Sequence, residues 1–376
     1  MRSWVVVGIA LTVIGLVMLQ KGLTLRFGGA AASSVSELHP SVARTGDEPD
    51  RSRDTTGMRI AGEGMPGAAP RDTVFGGAVE SLSEVQPFST RSVVPTHLEH
   101  LSRDFNEIYK GFLVDRLSST GWSREDLDGL RRHLSDRRAR FRWFVLRKNV
   151  QHVEARAHYD QHLTPESIEM CLAFWDREGR SVVMGASRFD FPVEVVVAVL
   201  KVESNFGKWP GQSSIFNVYW SLALADHPVV LEILKANLGL NEKGVRRLAR
   251  RAEWARRQLR YVVYMSRSET CPDLLEVAGS WAGAFGLCQF VPSSYLAYGR
   301  DGDGDGVVDL DDVADASASI AFYLAENGWP KDDDLQKKKR ALKRYNHSDL
   351  YAGCIIALAD SLYGKLKVQT AVAAGK

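Results

Sequence analysis

The sequence predicts a mainly α fold of the α+β kind, one helical domain over residues 95–370 behind an export segment and a tether. Three observations lead there. Apolar residues recur at three- and four-residue spacings through most of 97–363. Strand signals are few and short. Residues 24–94 are rich in Gly, Ala, Ser, Pro, Arg and Asp without a sustained period, a composition that cannot bury enough apolar surface to fold alone. A length of 376 residues leaves room for one large or two ordinary domains. Hydrophobic residues at 45% and charged residues at 25% are ordinary for a globular chain, and a net charge of +2 gives no case for a nucleic-acid partner. Nine Trp and eleven Tyr suit a carbohydrate cleft, although such residues serve equally as core.

The elements follow in order. Residues 1–23 hold Trp4 to Leu19 without a charge, preceded by Arg2. That run falls between a signal-peptide core and the roughly 20 residues of a membrane span, so the segment reads as an N-terminal signal anchor or a cleaved signal peptide. Either way the rest of the chain is exported. Residues 24–94 are the flexible linker. Helices are then expected over His97–Leu117, Ser123–Val150 and Thr164–Met184, the last with Thr164 as N-cap and Pro165 at its first position. Phe191-Pro192 opens an apolar helix. Asn241–Tyr264 is long, amphipathic and basic; it suits either an anionic polymer or membrane surface, or a solvated face whose arginines form salt bridges. Val313–Asn327 and Asp349–Tyr363 complete the series. The four cysteines, Cys171, Cys271, Cys288 and Cys354, show no CxxC pair and no zinc spacing; export permits disulfides, and no pairing is assigned.

Glu203 ends the nearly unbroken apolar stretch PVEVVVAVLKV (192–202) and precedes Ser-Asn-Phe-Gly. Desolvation there favours the neutral acid and raises its pKa. A carboxylic acid still protonated near neutrality is what glycoside cleavage asks of a general acid. The segment alone is equally compatible with a water-capped Glu at a helix end.

Asp301–Asp312, DGDGDGVVDLDD, matches the twelve-residue calcium loop of an EF-hand. Asp301, Asp303 and Asp305 fill positions one, three and five, with Gly306 at the turn. Val307 offers its carbonyl at position seven, Asp309 stands at nine, and Asp312 stands at twelve, where Glu is usual. Six carboxylates in twelve residues repel one another unless a cation neutralises them. A single loop of this kind suits structural Ca2+, with no cofactor for catalysis. Upstream, GSWAGAFGLCQFVPSSY (279–295) combines small residues with Ser280 and Gln289, polar groups beside aromatic walls.

VLKVESNFGKWPG, GSWAGAFGLCQFVPSSY, the acidic loop, IAFYLAENGW (320–329) and RYNHSDLY (344–351) occur in the order seen in membrane-bound lytic transglycosylases of the B type, and over roughly 100–365 the chain resembles that family. The resemblance implies a lysozyme-like helical core with an added helical lobe and a small lobe carrying the EF-hand-like calcium loop. It also implies peptidoglycan glycan strands as substrate, with a periplasmic location at the inner membrane or secretion. Carried over residue by residue, the catalytic acid falls on Glu203 and the glycan contacts on Ser280, Gln289, Tyr323, Tyr345, Asn346 and Tyr351, with Tyr345 and Tyr351 also available for stacking. One Glu acting as acid and then base would release a 1,6-anhydromuramoyl product. A hydrolytic muramidase would need a second carboxylate, for which Asp190, Glu194 and Asp226 are the nearby acids; a non-catalytic wall-binding scaffold would need none. Cys288 stands before Gln289 where the family prefers small residues or Pro, 212–228 keeps only the outline of the family's run, and there is no lipobox.

Overall fold

The structure, a computed structural model, describes residues 106–374 apart from 210, with side chains to 366. Residues 1–105, to which the sequence reading assigns an export segment, a tether and the start of the first expected helix, lie outside the described residues. Thirteen α-helices and a two-stranded sheet appear among the described residues. They are α1 (Asn106–Ser118), α2 (Arg124–Ser135), α3 (Trp143–Gln151), α4 (Ala157–Asp160), α5 (Pro165–Ser187), α6 (Val193–Ser204), α7 (Ile215–Leu222), α8 (Pro228–Leu238), α9 (Glu242–Met265), α10 (Pro292–Tyr298), α11 (Val313–Glu326), α12 (Leu335–Tyr345) and α13 (Asp349–Ala374). The strands are β1 (Ser213–Ser214) and β2 (Ala278–Gly279), antiparallel with Ser213 opposite Gly279. The mainly helical expectation holds.

The helix expected over 123–150 divides into α2 and α3. The reason lies in the intervening DRRARFR segment, whose backbone is taken by side chains from afar. Asn106 donates to the Ala139 carbonyl and accepts from the Phe141 N–H, Asn217 accepts from Arg140, and the Ser221 hydroxyl accepts from Arg142. These bonds satisfy buried backbone groups that a continuous helix would have paired internally. The start of α5 is as expected, with Pro165 at the first turn and Thr164 Oγ1 accepting the Ser167 N–H.

Two packed groups make the core. In one, α6 lies against α5, α11 and α13, and α5 packs closely on α11. That approach depends on Gly185, where a Cβ would collide with the Ala314 carbonyl oxygen. In the other, α9 packs on α2, α3, α7 and α10. The basic residues of α9 are largely spoken for: Arg256 pairs with Asp226 and the Ala223 carbonyl, Arg260 with Asp126, Arg247 with the Asn149 and Val150 carbonyls, and Arg251 with Asn149. These arginines are held within the protein, by two carboxylates and by carbonyl and amide oxygens.

Candidate active site

The sequence PVEVVVAVLKVES builds α6 as a buried rod, with Val195 to Leu200 almost without exposure. The helix stops at Asn205, whose left-handed backbone (φ 51°, ψ 47°) caps it through the Leu200 and Lys201 carbonyls. Phe206 (φ 58°) and Gly207 (φ 80°) continue in the same region, so the chain reverses straight after the acid. Left-handed Asn is tolerated and Gly is at ease, but a bulky Phe there is strained. The strain is held by packing. The Phe206 ring stacks on Phe174 of α5 at 4.0 Å, and the buried Lys201 ammonium donates to the Asn205 side-chain oxygen at 2.6 Å.

Glu203 thus sits on the last turn of a buried helix. As a residue it keeps partial access to the cleft, yet its carboxyl is crowded by protein, and burial pushes its pKa up to about 7. The Tyr351 hydroxyl opposes that rise without meeting hydrogen-bond geometry, and it has no other partner among the described residues. Tyr159, Tyr345 and Cys288 also face the acid closely enough for its charge to raise their own pKa values further above the ordinary range, although burial is the larger cause for each. Three phenols and a thiol, all neutral, therefore surround one carboxyl. Tyr159, which donates to Glu154 at 2.6 Å and meets Tyr351 edge to face, was missed in the sequence because no local motif marks it.

The other expected contacts divide. Gln289 lies in a cavity of about 50 Å³ beside the acid, with Ser204, Gly207, Trp209, Gly286 and Asp311. Its backbone is left-handed (φ 50°), and its side-chain amide donates to the Gly286 carbonyl. Ser280 accepts the Ala284 N–H and so shapes the glycine-rich turn. Tyr323 and Tyr345 are buried, their hydroxyls donating to the Arg344 and Cys288 carbonyls. Tyr345 and Tyr351 are buried rings stacked on each other at 6.3 Å; they wall the acid from beneath and are not exposed sugar platforms, contrary to expectation. Asn346 caps α12 and is half-buried. Trp209, 48% exposed, is the large aromatic at the cavity rim; the signal for it was an aromatic six positions past the acid in a Gly/Pro turn.

The acidic loop abuts this cleft, since the Leu287 N–H donates to the Leu310 carbonyl and Gly286 leaves room for that approach. Its clustered carboxylates are Asp301, Asp303 and Asp315, with one oxygen from each within 4.8 Å of the others. This departs from the spacing read in the sequence. Asp312 Oδ1 accepts the N–H groups of Ala314 and Asp315, so it caps α11, and Asp315, three residues on, joins the cluster in its place. Asp305 and Asp309 fall outside the cluster and accept the N–H groups of Val307 and Asp311. Three carboxylates so close, with left-handed Gly304 and Gly306 curling the loop around them, fit a hard divalent cation held by oxygens. All four cysteines are free.

Asp226 is held by Arg256 in paired contacts of 3.0 and 3.1 Å. Glu194 lies nine residues back along α6, about 13 Å at 1.5 Å per residue. That is beyond the about 5–9.5 Å that two-carboxylate glycosidases use. The family model described as the transglycosylase SLT domain matches residues 104–338. The chain belongs to this family. A related transglycosylase is the membrane-bound lytic murein transglycosylase B of Escherichia coli (strain K12), 30% identical over 173 residues, 46% of this chain and 42% of that protein. The chain thus spans less than half the length of that relative. Among solved structures, the fold is similar to soluble lytic transglycosylase SltB1 from Pseudomonas aeruginosa (TM-score 0.51, 21% identity, 70% of this chain and 99% of that one). It is also similar to Pseudomonas aeruginosa SltB3 in complex with NAG-anhNAM-pentapeptide (TM-score 0.52, 20% identity, 69% and 79%). A third is Escherichia coli Slt35 in complex with calcium (TM-score 0.52, 22% identity, 69% and 93%). At these identities the likeness establishes the fold: the transglycosylase SLT domain is the mainly helical, lysozyme-like architecture expected.

Proposed function

We propose that this transglycosylase SLT domain cleaves the β-1,4 bond between N-acetylmuramic acid and N-acetylglucosamine in peptidoglycan, closing a 1,6-anhydro ring on the muramoyl residue. The observation that carries the reading is a buried carboxyl with a pKa near 7, ringed by neutral phenols. Protonated Glu203 donates to the oxygen linking the two sugars as the bond to the anomeric carbon breaks. The acetamido group of the same muramoyl residue stabilises the charge that develops there. Glu203, now a carboxylate, takes the proton of that residue's 6-hydroxyl as its oxygen bonds to the anomeric carbon. No water is consumed, and the acid returns to its starting state. A group that gives one proton and then takes another works best with a pKa close to the working pH, and burial at the end of α6 supplies that. Tyr351 supports the carboxylate stage by pulling the pKa down. Gln289 and Asn346 are the candidates for holding acetamido and hydroxyl groups, with Ser280, Tyr323 and Tyr345 setting the shape of the cleft.

The relative's description as membrane-bound and the charge-free run at 4–19 support a periplasmic enzyme tethered by residues 24–94 to a signal anchor. The loop cation is proposed to be Ca2+, held by Asp301, Asp303 and Asp315. It would neutralise the carboxylates and brace the Leu310–Leu287 junction, with no part in the chemistry.

Mass spectrometry of soluble fragments from purified peptidoglycan tests the reading. Fragments lighter by one water than their reducing counterparts, absent with Glu203→Gln, are expected. Reducing ends would make the enzyme a muramidase; binding without products would make it a scaffold.

A further inference from the structure

The cavity that opens at Ser204, the residue after Glu203, presents a carboxylate, an amide and an indole. Ser204 follows the acid directly, but its hydroxyl is spent, donating to the Leu200 carbonyl and accepting the Gly207 N–H. One N–H of the Gln289 amide donates to the Gly286 carbonyl, and its side-chain oxygen accepts no hydrogen bond among the described residues. Asp311 is the one charged residue in the lining. Its backbone N–H is bound to Asp309, while its carboxylate receives no hydrogen bond or ion pair among the described residues. On the rim stands Trp209, its indole braced edge-on against the buried His162 at 6.1 Å. A wall of carboxylate, amide oxygen and indole face suits a positively charged donor carried on a sugar ring. The carboxylate and amide oxygen accept from the ammonium, and the indole gives a stacking face with cation–π attraction. A neutral acetamido group would leave the Asp311 carboxylate without a charged partner.

We propose that this cavity is a subsite for a primary ammonium on the substrate, read by Asp311, Gln289 and Trp209, and that the ammonium is the 2-amine of a de-N-acetylated glucosamine next to the bond being cut. The proposal rests on the glycan-cleaving reading above. The sugar amine is favoured over the side-chain amine of a stem peptide because the cavity begins at the residue after the catalytic acid. The chain would then prefer glycan strands whose glucosamine has lost its acetyl group.

The test is calorimetric titration of the full-length Glu203→Gln protein, with calcium and at mildly acidic pH. The probes are the glucosamine tetramer, the N-acetylglucosamine tetramer, and a lysine-containing tripeptide. The parent is expected to bind the glucosamine tetramer about fivefold tighter than the acetylated one, the size of one partly exposed ion pair. Asp311→Asn should bring the two within about twofold and remove the salt dependence of the preference. Trp209→Ala should weaken both tetramers together. An unchanged preference in Asp311→Asn, or a parent that prefers the acetylated tetramer, overturns the subsite. Tripeptide binding that Asp311→Asn abolishes, with no preference between tetramers, overturns the sugar assignment in favour of a stem amine. Anhydro products from peptidoglycan with the active chain keep the function standing if the preference fails. Absence of both products and tetramer binding removes the function, and the subsite with it.

Discussion

Replacing Glu203 by Gln should stabilise the protein, and by an amount that depends on pH. Burial lifts the carboxyl from an ordinary 4.5 to about 7. Below the lower value the group is protonated in both folded and unfolded chains, so it contributes nothing to the difference. Between the two values the unfolded chain ionises while the native one holds its proton, and native stability falls as pH rises. Above 7 both are ionised, and the full penalty of a crowded carboxylate stays. At about 1.4 kcal/mol per pH unit across that window the loss is about 3 kcal/mol, and nearer 2 once solvent on the cleft side is allowed for. Gln has the same shape and no charge to lose. Urea denaturation of both proteins in calcium at pH 4.5, 6 and 8 should show the variant gaining from almost nothing to about 2–3 kcal/mol over wild type. Parallel curves, with a constant difference at all three pH values, would refute the claim that desolvation sets the acid's pKa.

The same titration predicts that kcat/KM declines above about pH 7, since only the protonated acid starts the reaction; a flat profile to pH 9 would rule that out. Tyr351→Phe removes the hydroxyl that opposes the rise, so the alkaline limb should move to higher pH and kcat should drop; an unmoved limb would show that Tyr351 is only packing. Asp315→Asn should lower the melting temperature in calcium and abolish its response to chelator, whereas Asp312→Ala should cost about 1 kcal/mol as a lost helix cap and leave the response intact. The opposite pattern would restore Asp312 as the ligand. Gly185→Ala drives a methyl into the backbone of α11 and should cost about 1–3 kcal/mol or more by thermal unfolding, with little loss if α5 and α11 are less closely packed than described.

Most helices and the acid were legible because each carried its own local signal. Thr164-Pro165 marks a start, and the valine run of α6 can only be buried. The break between α2 and α3 was not legible, because it is made by Asn106, Asn217 and Ser221, remote in sequence and ordinary in type. The acidic loop was read by a twelve-residue template that ends at Asp312. What moves the carboxylate to Asp315 is the helix cap, a three-dimensional competition for one side chain that spacing cannot express. Tyr345 and Tyr351 were placed near the acid, but whether an aromatic ring lies open or buried depends on α13 and α6 covering it. Tyr159 lay outside every motif and reaches the acid only through the tertiary fold. Asp311, which lines the cavity, was hidden inside a run of look-alike aspartates.

The left-handed passage through Asn205, Phe206 and Gly207 has an implication for how the enzyme ages under heat. A bulky residue in that conformation costs about 1–3 kcal/mol, held in place here by the Phe174 ring and the Lys201 ammonium. Those few contacts will let go before the helical framework does. Warming should therefore silence catalysis some degrees ahead of the loss of far-ultraviolet dichroism, and cooling should revive it, because the acid is stranded on a spring whose catch opens first.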